Sequence, residues 1–270
     1  MTIRTILLTG DDGYNSLGTR LLIHALKDTY DLQIAGTLRQ QSGVGSKISI
    51  HTGFEWGSAM VDDVPALWVD ATPADAIELA TAYFDTPFDL VISGVNWGAN
   101  LGTAIPSSGT LGAAQRCLAV QLASKALAFS WDVPVEFYTM EHNGTDSLEK
   151  YLEYPGKHLL PLLQKAVEHE WWSADLLNVN FPAQPTSEVK MTNLLPNLKD
   201  IFEYETNRVS SDLTHGHFEY KGGRKVAATP FSTESDVGAV NAGLIAVTPC
   251  KYDYLDPDAY DSCKEVSFSL

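Results

Sequence analysis

Through the first two-thirds of the chain, short apolar runs of strand length alternate with stretches of helical periodicity. Nothing else in the sequence restricts the fold as strongly. Thr5–Thr9, Leu32–Ala35, Asp89–Ser93, Ala126–Phe129 and Leu176–Asn180 read as strands. Between the first two, Leu17, Leu21, Leu22, Ala25 and Leu26 recur at helical spacing. Thr72-Pro73-Ala74-Asp75 opens a second helix, with Thr72 as N-cap, Pro73 at the first helical position and Asp75 at the capping-box position. That helix runs on through Ile77, Leu79, Ala80 and Tyr83. A helix of small residues starts at about Thr110, and another covers His158 to Glu168. Strands alternating with helices predict an α/β fold: a mostly parallel sheet with helices on both faces.

From about Pro182 the alternation loosens. Phe218–Tyr220 and Leu244–Val247 read as strands, with a short helix from Ser235 ending before Gly243. We therefore expect a core over residues 1–182 and a C-terminal α+β appendage over 183–270. The appendage would serve oligomerisation and return to the core near 235–250.

The charge balance narrows the partners. Against 18 basic residues stand 34 acidic ones, for a net charge of −16. Nucleic-acid polymers and anionic membranes require a basic footprint, so neither is an expected partner. The cysteines, Cys117, Cys250 and Cys263, have neither disulfide-scaffold density nor zinc-ligand neighbours. With no leader pattern and no apolar stretch of transmembrane length, the expected location is the cytoplasm.

In an open parallel sheet, ligands bind outside the carboxyl ends of the strands. There the first strand ends in Gly10-Asp11-Asp12-Gly13. Adjacent carboxylates at the end of an apolar strand repel each other in a partly desolvated place, and a hard divalent cation would relieve them. A solvated acidic turn is the other reading, and from these residues both stand. The turn Gln41–Ser46 and the loop Ser93–Gly102 add hydroxyls and side-chain amides. Such oxygen donors suit Mg²⁺ or Mn²⁺ and not zinc. Beyond lies Ser107-Ser108-Gly109-Thr110, running into a helix, where free N–H groups would attract a phosphate. Ser108 also reads simply as an N-cap. A cation beside such an anion site is what phosphoester hydrolysis requires. Trp97, inside the third loop, is a candidate platform for a nucleobase. Trp171-Trp172 reads as core or subunit contact, and His215 and His217 as the end of a surface strand.

These motifs also carry a family resemblance. Ile6-Leu7-Leu8-Thr9-Gly10-Asp11-Asp12-Gly13 resembles the T-N-D-D-G signature of the SurE survival-protein phosphatases. Ser42-Gly43 and Thr72-Pro73-Ala74-Asp75 are similar to that family's S-G loop and G-T-P-A-D segment. Ser93-Gly94-Val95-Asn96, with Gly98, Asn100 and Gly102, resembles S-G-[IV]-N-x-G-x-N-x-G. Ser108-Gly109-Thr110 with Ala113-Ala114 resembles S-G-T-x-x-A-A, and Leu177–Pro182 resembles L-N-V-N-x-P. Ser235-Asp236 with Gly243 and Val247-Thr248-Pro249 resembles T-D-x-x-A…G…V-T-P. Each motif is weak alone, but their joint order from Ile6 to Pro249 is specific.

The resemblance implies a Rossmann-like fold and a metal-dependent phosphatase of nucleoside 5′- and 3′-monophosphates, with short polyphosphate as a further substrate. It implies one Mg²⁺ or Mn²⁺ per subunit held by Asp11, Asp12, Ser42 and Asn96, of which Asp11, Asp12 and Asn96 are the catalytic set. Asn100, Ser108, Gly109 and Thr110 would lie against the phosphate, in a homodimer or homotetramer whose subunits exchange C-terminal elements. The chain departs from the family pattern at Gly10, which stands where an Asn is usual, at Ala71, at the segment Gly36–Gln41 and at Ser107. Gly10 motivates the competing expectation of a nucleotide or phosphate sensor with little turnover. A broad small-molecule phosphatase is a third.

Overall fold

A computed structural model describes residues 2–133, 137, 140–169, 171, 174–195, 202–208, 216–224, 231–252 and 261. The chain opens with β1 (Thr5–Thr9), α1 (Leu17–Leu26) and β2 (Asp31–Thr37), followed by a hairpin of β3 (Trp56–Val61) and β4 (Val64–Val69). Next come α2 (Pro73–Tyr83), β5 (Leu90–Trp97), a 3₁₀ segment (Gly102–Ser107), α3 (Gly109–Ala119) and β6 (Ala126–Trp131). The one-turn α4 (Glu149–Tyr151) leads through an irregular segment into α5 (Lys157–Glu168) and β7 (Leu176–Phe181). The last part contains β8 (Val189–Met191), β9 (Phe202–Arg208), β10 (Gly216–Arg224), α6 (Asp236–Asn241) and β11 (Ile245–Cys250).

The main sheet has the order β3-β4-β2-β1-β5-β6-β7-β11-β8. From β4 to β7 every neighbouring pair is parallel, while β3 and β11 run antiparallel to their neighbours β4 and β7. The expected α/β architecture is thus present. Alternation along β1 sets its two layers: Ile6 and Leu8 join Leu22, Leu26, Leu159 and Leu163 from α1 and α5. Leu7 points the other way, into Ile77 and Ala80 of α2 and Leu111 and Ala114 of α3.

Helix α1 sits backbone to backbone on β5, since a methyl group on Gly18 would stand 1.9 Å from the Val95 carbonyl oxygen. The capping box at α2 forms as the sequence indicated. The Asp75 N–H donates to Thr72 Oγ1 at 3.2 Å, and the Thr72 N–H donates to Asp75 Oδ2 at 3.0 Å. Asp75 also accepts from the Ser49 N–H and hydroxyl, each at 2.8 Å, so this cap anchors the loop that follows Ser46.

The β3–β4 hairpin is an addition to the sequence reading. Its turn is Asp62-Asp63, both at positive φ (46° and 70°), a role more often given to Asn-Gly. The helix and strand expected near Ser235–Gly243 and Leu244–Val247 are α6 and β11, and β11 lies in the main sheet beside β7. The expected Phe218–Tyr220 strand lies inside β10, which pairs with β9 in a separate two-stranded sheet. His215 and Trp172 lie outside the described residues. Among the described residues no helix is long and apolar enough to cross a membrane.

Candidate metal and phosphate site

Strand order reverses between β1 and β5: the chain leaves β1 toward β2 and β4, then returns to β1's other side with β5. The crevice at such a switch point, outside the carboxyl ends, is the general ligand position in open α/β sheets. Asp11 and Asp12 follow the end of β1 there, and Asn96 and Trp97 end β5.

Both aspartates are nearly sealed from solvent, at 4% and 5% exposure. The Thr110 hydroxyl donates to Asp11 Oδ1 at 2.6 Å. Asp12 accepts from the Trp97 N–H through Oδ2 at 2.8 Å and from Gln40 Nε2 through Oδ1 at 3.1 Å. Gly109, the first residue of α3, leaves room for Asp11: a Cβ there would fall 2.8 Å from Asp11 Oδ2. Behind it, the Ser93 hydroxyl donates to the Thr110 carbonyl at 2.8 Å, tying α3 to β5.

The serine turn is drawn to the same place. The Gln41 N–H donates to the Asp11 carbonyl at 2.7 Å, and the Gly45 N–H to the Ser107 carbonyl at 2.9 Å. Ser42 is exposed between these anchors. Asn96 commits its amide nitrogen to the Gly98 carbonyl at 2.7 Å, so its side-chain oxygen is the end left to act as an acceptor. Ser108 caps α3 by accepting from the Leu111 N–H at 3.1 Å. The cap reaches Leu111, and the N–H groups of Gly109 and Thr110 have no carbonyl one turn back. Such N–H groups at a helix start favour an anion through hydrogen bonds and the helix dipole. Asn100 is adjacent, but its amide nitrogen donates to Ser130 Oγ at 2.9 Å and Thr110 Oγ1 at 3.3 Å.

Electrostatics make the pair unusual. Burial raises Asp11 well above the ordinary carboxylate range. It raises Asp12 further, to about 7, with repulsion from Asp11 as a second cause. Among the described residues no basic side chain forms an ion pair with either carboxylate. Nor does a third Asp, Glu, His or Cys complete a cluster around them. Two buried, unneutralised carboxylates beside amide and hydroxyl oxygens fit a hard divalent cation, and this donor set does not fit zinc.

A stability prediction follows from the raised carboxylates. The native state keeps protons that the unfolded chain has already released between about pH 4 and 7, so the native state binds more protons there. Stability of the metal-free protein from this pair is therefore present at low pH and lost as pH rises through the native values. Between pH 5 and 8 the pair should cost the metal-free protein on the order of 4 kcal/mol. Thermal melts across that range check this. Saturating Mn²⁺ or the substitution Asp12→Asn should flatten the trend.

Two residues differ from their sequence reading. The Trp97 ring is 4% exposed and packs edge-on against Trp131 and Tyr151 at 5.3 and 5.0 Å. Its contribution to the site is its backbone N–H, and no ring face is open to a nucleobase. Gln40, in a segment noted only for departing from the family pattern, holds Asp12.

The family described as "Survival protein SurE" matches residues 6–200. A 5′-nucleotidase SurE of Desulforudis audaxviator is 33% identical, over 96% of this chain and 96% of its own length. One from Alkaliphilus metalliredigens is 28% identical, over 97% of this chain and 98% of its own. Among solved structures, the crystal structure of the SurE protein from Aquifex aeolicus superposes with a TM-score of 0.72. It is 24% identical and covers 96% of this chain and 98% of its own, a likeness of fold.

Proposed function

The chain belongs to the survival protein SurE family, and from that premise we propose that it is a divalent-metal-dependent 5′-nucleotidase. It hydrolyses nucleoside 5′-monophosphates to nucleoside and inorganic phosphate. The observation that carries this reading is the buried Asp11–Asp12 pair, without a basic partner among the described residues, beside the N–H groups that open α3.

In this reading Asp11, Asp12, Ser42 and Asn96 hold one Mg²⁺ or Mn²⁺. A bound divalent cation polarises a phosphoryl oxygen and acidifies a water molecule. The Gly109 and Thr110 N–H groups, with the Ser108 hydroxyl, receive the remaining phosphoryl oxygens at a helix start whose dipole favours negative charge. Gly109 lets the phosphate site and Asp11 lie side by side, because it interposes no side chain. Asn100 enters through Thr110 and not as a direct phosphate donor, since its amide hydrogens are engaged within the chain.

The 3′-monophosphates and short polyphosphate extend the substrate range. Residues 1–182 form the catalytic core in this account, and 183–270 the oligomerisation segment of a homodimer or homotetramer. The separate β9–β10 ribbon supports that role, because a two-stranded ribbon is marginal alone.

The test is phosphate release by the purified protein on nucleoside 5′- and 3′-monophosphates, sugar phosphates and polyphosphate. Preference for the nucleoside 5′-monophosphates in kcat/KM supports the reading. Equal turnover across all esters would replace it with a general phosphatase.

A further inference from the structure

Asn178 and Asn180 lie two residues apart on β7, so they share one face of the sheet, and both are completely buried. An amide in such a place is costly unless its hydrogen bonds are met. Both reach across to one residue, Asn100. The Asn100 N–H donates to Asn180 Oδ1 at 2.8 Å. Its carbonyl accepts from Asn178 Nδ2 at 2.8 Å and from Asn180 Nδ2 at 3.1 Å. The Asn180 side chain thus pairs with the Asn100 backbone as a neighbouring strand would. Two residues on, the Gly102 N–H donates to Asp236 Oδ2 at 2.6 Å, and Asp236 Oδ1 accepts from the Leu195 N–H at 2.9 Å. The loop after β5 is therefore gripped at two points by the later part of the chain.

The Asn100 side chain carries this grip into the site. Its amide nitrogen donates to Ser130 Oγ and to Thr110 Oγ1. Thr110 has one hydroxyl hydrogen, directed at Asp11 Oδ1, so toward Asn100 it acts as acceptor. That requirement fixes which end of the Asn100 amide faces Thr110, and an N–H at that end leaves the Thr110 hydrogen available to Asp11.

We propose that Asn100, clamped by Asn178 and Asn180, is a positioning residue that acts through the Thr110 hydroxyl to fix the Asp11 carboxylate. The proposal rests on the reading of Asp11 as a cation-holding acid. It assigns work to the L-N-V-N segment, which that reading leaves unused.

A double-mutant cycle tests it, with Asn100→Ala and Thr110→Val alone and together. Two quantities are measured: Mn²⁺ affinity of the metal-free protein by calorimetry, and kcat and KM on a nucleoside 5′-monophosphate. Valine keeps the Thr110 N–H, so phosphate binding is preserved. Each single substitution should lower Mn²⁺ affinity and kcat by ~10- to 100-fold, the range for partners that orient metal ligands, with KM nearly unchanged. The pair should be strongly non-additive, losing no more than ~3-fold beyond the worse single. Thr110→Ser, which keeps the hydroxyl, should restore both quantities. Asn180→Ala should repeat the Asn100→Ala signature. If it fails to fold, Asn100→Ala still decides, because it keeps the backbone clamp. Losses that multiply, or a raised KM at constant kcat in Asn100→Ala, would overturn the proposal in favour of direct phosphate contact. A wild type that binds Mn²⁺ but releases no phosphate would sink the nucleotidase reading, and the affinity cycle would still decide this one. A wild type that binds no Mn²⁺ overturns both.

Discussion

Asp11→Asn should reduce kcat for phosphate release by ~10³-fold or more while leaving the metal-free protein folded and more stable. The first half follows from what a bound cation contributes, several kcal/mol of transition-state charge stabilisation, at about 1.4 kcal/mol per tenfold in rate. An amide in place of Asp11 keeps the shape and can still accept from the Thr110 hydroxyl, but it removes a formal charge from the cation's ligand set. The second half follows from burial. Asp11 and Asp12 are desolvated together, and repulsion from Asp11 adds to the rise in Asp12. Removing one charge relieves that repulsion, so the metal-free variant should melt above the metal-free wild type at pH 8. Steady-state rates and paired melts measure both halves. A variant with near-wild-type turnover would remove Asp11 from the chemistry.

Gly109→Ala should cost about 100-fold in activity without a mutation to any reacting group. Its Cβ would fall 2.8 Å from both Cβ and Oδ2 of Asp11 and 3.0 Å from Cγ, closer than real contacts allow. Gly109 starts α3 in ordinary helical geometry, so the substitution introduces no backbone strain and acts by pushing the two residues apart. A displacement approaching 1 Å at a reacting centre is worth about 100-fold. Overpacking should cost stability by about 1–3 kcal/mol. A loss of Mn²⁺ affinity together with kcat, in a protein that still folds, is the expected pattern. Unchanged activity would mean that Asp11 does not need its observed position.

How much of this was legible in sequence differs by element. The α2 capping box was legible because Thr72 and Asp75 are three residues apart and their bonds are local. The parallel core was legible because its strands are short apolar runs between periodic helices. The β3–β4 hairpin was not. Its outward residues Trp56, Ser58 and Met60 lie on an edge strand whose face is open, and its turn uses Asp-Asp in place of a recognisable Gly pair. The carboxylate pair was legible at its strand end, but its burial was not, because that depends on Gly109 and Thr110, nearly a hundred residues later. Trp97 shows the converse. Proximity in sequence to the proposed ligands suggested base stacking, whereas Trp131 and Tyr151 enclose its ring. The asparagine clamp was hidden most deeply, since Asn100 and Asn180 are joined only by the fold. Its one sequence signal was a pair of amides at alternate positions in an otherwise apolar strand.

The central claim is that a divalent cation on the Asp11–Asp12 pair drives hydrolysis of a nucleoside 5′-monophosphate. Its most direct test is phosphate release by protein stripped with EDTA, measured before and after Mn²⁺ or Mg²⁺ is restored. The account predicts silence in the stripped protein, recovery with the cation, and no recovery in Asp11→Asn. Undiminished release without any divalent cation would contradict it.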